Sequence, residues 1–246
     1  MSQHHAAPAD PADPAGPPAP LSPTPRTTVR RGAKRARSDR EELLDVLGAG
    51  LVCHLGVLVD GVPLVLPTAY GVDRDGPDRG GTVYLHGSVA SRSLLAAPDR
   101  EVSVTVTVLD GMVLARSGFH HSMNYRSAVI IGRPRRVEDE AERRRALDLV
   151  VDQVVPGRAA TLREPTRKEL AATTVLALSL HEASVKARDG GVEDEVGDVV
   201  AGGWAGVVPL QLTASAPQTA PDAGSAPVPE HVLARVAGLG AACPPG

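Results

Sequence analysis

The chain has 246 residues, room for one good-sized domain with tails or for two small domains. Its formal charge of −3 offers no general attraction to nucleic acid, and its two cysteines, Cys53 and Cys243, lack metal-type spacing and fit a reducing compartment. No apolar run reaches membrane-spanning length and the Pro/Ala start has no apolar signal region, so a soluble, cytoplasmic protein is expected.

The two ends read differently from the middle. Residues 1–23 are Pro/Ala-rich and 213–246 are Ala/Pro/Gly-rich, compositions that cannot bury a core, and both are expected to be disordered. The folded domain is expected over 24–212. It begins with a basic arm (Arg26, Arg30, Arg31, Lys34, Arg35, Arg37, Arg40) that no aromatic stacking platform accompanies, so a solvated arm is expected rather than a nucleic-acid site.

Ser38-Asp39-Arg40-Glu41 has the spacing of a capping box, and Leu43, Leu44, Val46 and Leu47 supply an apolar helix face. Two β-rich runs, 51–59 and 62–70, flank Asp60-Gly61, a strong hairpin signal. A strand over Thr82–His86 and a short helix over 88–97 follow. Val102–Val108 alternates at period two, as a strand with one buried face does. Asp110-Gly111 is expected to be a second hairpin turn. Further elements are a strand at 125–133, an amphipathic helix at 138–155, a short helix at 166–172 and a last strand at 175–180. Six or seven antiparallel strands with flanking helices predict a closed or partly closed barrel.

Three residue groups bear on chemistry. His54, His86, His120, His121 and His181 have no helical pairing beside a carboxylate and no cysteine partner, which excludes a zinc pattern; haem stays open, because one imidazole suffices for axial ligation. Ser122 beside His121 is no hydrolase pair, since neighbours in a strand face opposite ways and no nucleophile elbow is present. The run Tyr84-Leu85-His86-Gly87-Ser88-Val89-Ala90-Ser91-Arg92-Ser93 ends a strand and opens a helix with hydroxyls and a guanidinium. Such a run either grips a phosphate or is a plain N-cap beside a solvated arginine.

The order Ser91-Arg92-Ser93, Leu94–Ala97, Pro98, Val102–Val108 resembles the pyridoxamine 5′-phosphate oxidase superfamily, an FMN-binding split β-barrel, over about 24–211. The likeness is greatest to its flavin-nucleotide-binding and nitroimidazole-reductase-like branch. It implies FMN, with haem or a deazaflavin as alternatives, held by a Ser-Arg-Lys phosphate grip. Ser91 and Arg92 match that grip, and Ser93 replaces its lysine. The resemblance further implies flavin contacts from Pro67, Thr68 and Tyr70 on the strand along the ring, from Ser127, and from Ser88. His86 stands where that branch places a pocket histidine, and it is the one candidate for a catalytic role, as a proton donor or a lining residue. Trp204-Ala205-Gly206 resembles the segment that approaches the flavin, or Trp204 anchors a partner interface. Val185-Lys186-Ala187-Arg188 stands in place of the substrate-phosphate motif of true pyridoxamine phosphate oxidases. The resemblance thus implies a homodimer with cofactor at its interface, an FMN-dependent oxidoreductase drawing on a nicotinamide or deazaflavin donor, or a non-catalytic flavin or haem carrier.

Overall fold

The computed structural model of the chain describes residues 20–21, 24–98 and 100–240. The expected N-terminal tail therefore lies outside the described residues, apart from Pro20 and Leu21. The elements begin with β1 (Ala36–Arg37), α1 (Arg40–Ala49), β2 (Cys53–Val59), β3 (Val62–Thr68), β4 (Tyr70–Asp73) and β5 (Thr82–Ser88). They continue with α2 (Arg92–Ala96), β6 (Val102–Leu114), β7 (Ser122–Gly132), β8 (Arg135–Arg136) and α3 (Glu140–Val154). Then come α4 (Arg167–Ala172), β9 (Thr173–Ser179), β10 (Ala183–Arg188), α5 (Val196–Ala201), β11 (Gly206–Pro209) and α6 (Glu230–Gly240). Seven of these strands have six residues or more, and all pairings are antiparallel.

The strands form two sheets. The larger runs β1-β10-β7-β6-β2-β3 with β11 added on β6, and the smaller runs β4-β5-β9-β8. Their inner faces share one core. Leu55, Val104, Val106 and Ile130 of the larger sheet meet Tyr70, Val83, Leu85, Leu176 and Leu178 of the smaller, with Leu43, Val46 and Leu47 of α1 among them. Period-two alternation produces this directly: Val102, Val104 and Val106 are buried, while Ser103, Thr105 and Thr107 turn outward. The outer face of the smaller sheet lies under α3, where Tyr84, Val137, Ala146, Val175 and Ala177 form a second cluster. Gly71 lets α3 approach, because a Cβ there would sit 2.7 Å from the Val150 nitrogen. Being covered on both sides, β9 is buried over Thr174–Leu178, which hides any alternation.

Asp60 (φ 52°) and Gly61 (φ 80°) make the left-handed two-residue turn that joins β2 to β3, as the Asp-Gly pair predicts. Asp110-Gly111 behaves differently. It lies inside one strand of 13 residues, and the β6–β7 register slips between Leu109 and Gly111, so it is a β-bulge and not a hairpin turn. Paired neighbours on both sides hold it extended, and Asp110 accepts two hydrogen bonds from Arg126 across the strands, at 3.0 and 2.8 Å.

Other local expectations shift. The first cap is Asp39, whose Oδ1 accepts from the Glu41 amide at 2.9 Å, while the Ser38 carbonyl is engaged by the Leu21 amide. The helix expected over 88–97 shortens to α2. A further strand, β10, follows the one expected to be last; its Ala183 and Val185 are buried against the core. The basic arm packs on the barrel. Leu21 and Thr27 are buried, and Arg26 reaches both Glu101 and Glu182, drawing the Glu182 carboxyl down to about 2 against the opposing effect of burial. Within the segment read as a C-terminal tail, α6 is a helix whose Arg235 donates to the Val154 carbonyl at the end of α3, 2.9 Å away.

Candidate functional site

Strand register decides which predicted residues share a surface. His54 pairs with Pro67 on one side and Thr105 on the other, Thr105 pairs with Val129, and Ser127 pairs with both Thr107 and Lys186. Directly paired residues point the same way. Pro67 and Ser127 therefore join His54, Ser103, Thr105 and Thr107 on the outward face of the larger sheet, a strip of small and hydroxyl side chains that are partly or fully exposed. Gly56 lies in this strip opposite Ser103, and a Cβ there would meet the Ser103 Oγ at 2.8 Å.

The phosphate-type cluster lies at one end of the strip. Ser91, Arg92 and Ser93 open α2, with the Ser91 and Ser93 hydroxyls 3.0 Å apart, and the Ser88 Oγ accepts from the Ala90 amide at 3.2 Å. Arg92 is 76% exposed and ion-paired with Asp60 of the β2–β3 turn. That pair places the cluster at the turn end of the hairpin, while Pro67 stands at the other, roughly 17 Å along the strand at 3.3–3.4 Å per residue. The strip thus offers a charged, hydroxyl-rich end and a stretch of strand with small side chains, bordered at Ser127 by Lys186, whose Nζ donates to the Arg31 carbonyl. Asp60, which opposes the arginine, is the member that sequence reasoning missed; its only signal was the turn itself. His54, Thr105 and Thr107 were also missed, although the outward positions of an alternating strand would have found them.

Four predicted residues lie elsewhere. Tyr70 belongs to the core: it is fully buried, and its hydroxyl donates to the Leu47 carbonyl at 2.5 Å, with the Gly50 carbonyl at 3.0 Å. Its alternation partner in the chain, Thr68, pairs with buried Cys53, which turns it inward from the strip, and its hydroxyl donates to the Ala69 carbonyl at 3.2 Å. His86 shares a face with Tyr84, toward the α3 layer and opposite to Val83 and Leu85. Its Nδ1 is buried without a partner, and burial holds its pKa below the ordinary histidine value, favouring the neutral ring. Trp204 precedes β11, whose Gly206 pairs with Leu114; that is roughly 23 Å along β6 beyond Thr107 at 3.3 Å per residue. Within one chain it does not reach the strip.

Other candidates do not compete. Burial pushes the Cys53 thiol up to about 12, so it stays protonated at neutral pH. Arg188 is buried, donating to Asn124 Oδ1 and to the carbonyls of Gly190 and Gly191, and it is not available as a substrate-phosphate grip. A groove of about 660 Å³ between α3 and residues 159–169 is lined by Leu147, Val151, Leu162 and several charged side chains, and by none of the predicted site residues. Among the described residues no group of three or more His, Cys, Asp or Glu could hold a metal ion, and no helix is long and apolar enough to cross a membrane.

Comparison with known proteins agrees with this fold. The sequence profile of the pyridoxamine 5′-phosphate oxidase family matches residues 39–187. The flavocytochrome Anf3 of Azotobacter vinelandii is 36% identical, with a TM-score of 0.79 over 87% of this chain and 98% of its own. An FAD- and haem-binding protein of Mycobacterium smegmatis is 40% identical, with a TM-score of 0.75 over 82% of this chain and 97% of its own. A protein assigned to 5-nitroimidazole antibiotic resistance in Bacteroides thetaiotaomicron shares the fold at 20% identity, with a TM-score of 0.51 over 61% of this chain and 85% of its own. Comparison with the curated protein sequences returned no match. Two antiparallel sheets around one core and these likenesses together show that the chain belongs to the pyridoxamine 5′-phosphate oxidase family, with its split-barrel fold.

Proposed function

We propose that this protein binds a flavin along the outward strip of β2, β3, β6 and β7 and works as a flavin-dependent oxidoreductase. The observation that carries the reading is the strip itself: a guanidinium and three serine hydroxyls at one end, and a surface of strand backbone and threonines leading away. That is the polarity of a flavin nucleotide, with its phosphate at one end and its ring at the other. When bound, a flavin supplies hydride and single-electron transfer. The protein would contribute orientation: Arg92, Ser91 and Ser88 toward the phosphate, and Pro67, His54, Thr105 and Ser127 toward the ring. FMN, whose single phosphate matches the single Ser91-Arg92 cluster, is the form proposed, and the FAD named for the M. smegmatis relative is the competing form.

A homodimer belongs to the same reading. The β3 edge and its hairpin partner expose Leu58, Val62, Leu64 and Val65, an apolar edge of the kind that soluble proteins ordinarily cover. A second copy on this face would cover it and enclose the strip, and only from that copy could Trp204 approach the cofactor.

The donor would be a nicotinamide or a deazaflavin, and the acceptor a small molecule. The buried structural role of Arg188 argues against pyridoxamine phosphate as the substrate. The test is the optical spectrum of the purified protein. Bands near those of free flavin that bleach anaerobically on adding NADPH, NADH or reduced deazaflavin support the reading, and a colourless protein with no flavin on extraction overturns it. A second reading, a flavin and haem carrier without turnover, draws on the descriptions of the two relatives above 35% identity. A flavin that no donor reduces would favour it.

A further inference from the structure

The edge of the larger sheet opposite to β3 carries a cluster of positive charge. Arg30 and Arg31 precede Gly32, Lys34 and Arg35 follow it, and all four side chains are exposed. Gly32 (φ 69°) turns the chain through the left-handed region, and the 3₁₀ turn Ala33–Arg35 carries it into β1. β1 pairs with β10, which sets Ala36 opposite Lys186. Lys186 reaches back over the turn, where its Nζ donates to the Arg31 carbonyl at 3.2 Å. A Cβ on Gly32 would lie 3.8 Å from both that Nζ and the Arg35 Cδ, so two cationic side chains flank one bare stretch of backbone.

No carboxylate answers this charge. Glu101 and Glu182 are held by Arg26, and Glu42 by Arg37. Among the described residues none of Arg30, Arg31, Lys34, Arg35 and Lys186 has an ion-pair partner. Cations gathered without counter-charge attract a multiply charged anion, and guanidinium and ammonium groups suit phosphate.

Position gives that anion a use. Lys186 pairs with Ser127 one strand spacing away, about 5 Å, and paired residues point to the same face. The cluster therefore borders the part of the strip that the reading above gives to the flavin ring, far from Ser91-Arg92. A second copy seated on β3 occupies the other side of the sheet and leaves this edge open. An anionic donor entering by the open edge meets the cations first and the ring end next. A phosphomonoester carries roughly −1.5 to −2 charge at neutral pH and three acceptor oxygens, which matches several cations around one turn. We infer that the 30–35 turn and Lys186 bind the 2′-phosphate of a nicotinamide dinucleotide, making NADPH the preferred donor over NADH. This rests on the flavin reading above.

The test is calorimetric titration of the full-length protein with 2′,5′-ADP, which keeps the phosphomonoester and has no redox chemistry, and with 5′-AMP. Flavin content is measured in parallel. 2′,5′-ADP should bind roughly tenfold or more tightly than 5′-AMP, and its affinity should fall as salt is added. Arg35→Ala and Lys186→Ala should each weaken 2′,5′-ADP roughly five- to tenfold and leave 5′-AMP unchanged. Lys168→Ala, on α4, should change neither. The Arg35 side chain is exposed and unpaired, so its alanine variant should keep the wild-type melting temperature. Lys186→Arg keeps the charge and should keep the affinity, which separates a lost cation from a loosened arm. In turnover, Arg35→Ala should raise the KM for NADPH and leave that for NADH, and kcat, unchanged. Equal affinities for the two nucleotides, or a 2′,5′-ADP affinity that neither alanine variant changes, overturns the inference and leaves the flavin assignment intact. Duplex DNA that displaces 2′,5′-ADP with the same Arg35 dependence makes the turn a nucleic-acid contact and also overturns it. A protein without flavin that shows the expected 2′,5′-ADP pattern supports the phosphate site and removes the flavin reading.

Discussion

Tyr70 and Leu47 are joined by a hydrogen bond of 2.5 Å from the phenol to the backbone carbonyl, deep in the core at the end of α1. Gln153 of α3 donates to the same carbonyl and to that of Gly50, both at 2.8 Å. The end of α1 is therefore satisfied from two sides, and Tyr70→Phe leaves the Gln153 bonds in place. The expected loss is about 1 kcal/mol of stability by urea denaturation, with flavin content unchanged. A variant that keeps its stability but loses flavin would return Tyr70 to the site.

The Arg92–Asp60 pair makes opposite predictions for its two members. Arg92→Ala removes a charge-assisted contact and should weaken FMN by about tenfold, the low end of the range because the side chain is exposed, while riboflavin is unaffected. Asp60→Asn frees the guanidinium from its competitor and should tighten FMN. Equal weakening of riboflavin and FMN in Arg92→Ala would make the arginine structural.

His86 predicts a pH effect on stability. Its folded pKa is held below the unfolded value by burial, so the unfolded chain binds a proton more readily. Stability is then full above the ordinary histidine pKa of about 6.5 and falls as pH drops through it toward the lower folded value. His181 is shifted the same way, by burial and then by Arg79 and Arg40, and adds to the slope. Replacing His86 with Asn should flatten the melting temperature between pH 7 and pH 5. If reoxidation of a reduced flavin by a nitroaromatic also loses a pH dependence in His86→Asn, the residue donates a proton; unchanged reoxidation confines it to the α3 layer.

The basic arm should be needed for the fold. Removing residues 1–19 should leave the melting temperature unchanged. Removal through Ser38 takes away buried Leu21 and Thr27 and the Arg26–Glu182 pair, and should cost several degrees. The Arg26–Glu182 contribution is present above the unfolded glutamate pKa and fades as pH falls toward about 2. A removal through Ser38 that melts like the full chain would show the arm to be dispensable.

Light scattering tests the two-fold reading. A dimer is expected at micromolar concentration, and replacing Val62 and Val65 with Lys should yield monomers that no longer retain flavin. A wild-type monomer that holds flavin would place the whole site in one chain.

By itself the sequence determined those features whose physical cause is local. Alternation at Val102–Val108 assigned one face to the core, Asp60-Gly61 made its turn because both positions accept a left-handed backbone, and the Ser91-Arg92 run marked the start of α2. Where two local signals coincide, only tertiary pairing decided. Asp110-Gly111 has the same two residues as the first turn, yet its neighbours are held by β7 and β11 and it becomes a bulge within a long strand. Tyr70 and Pro67 lie on successive strands that belong to different sheets, and composition does not say that one fills the core while the other faces outward; the register with β2 and the contact with Leu47 decide it. The same holds for the Arg92–Asp60 pair and for Lys186 beside the Gly32 turn, because each depends on groups brought together by distant chain, and composition carries no record of that geometry.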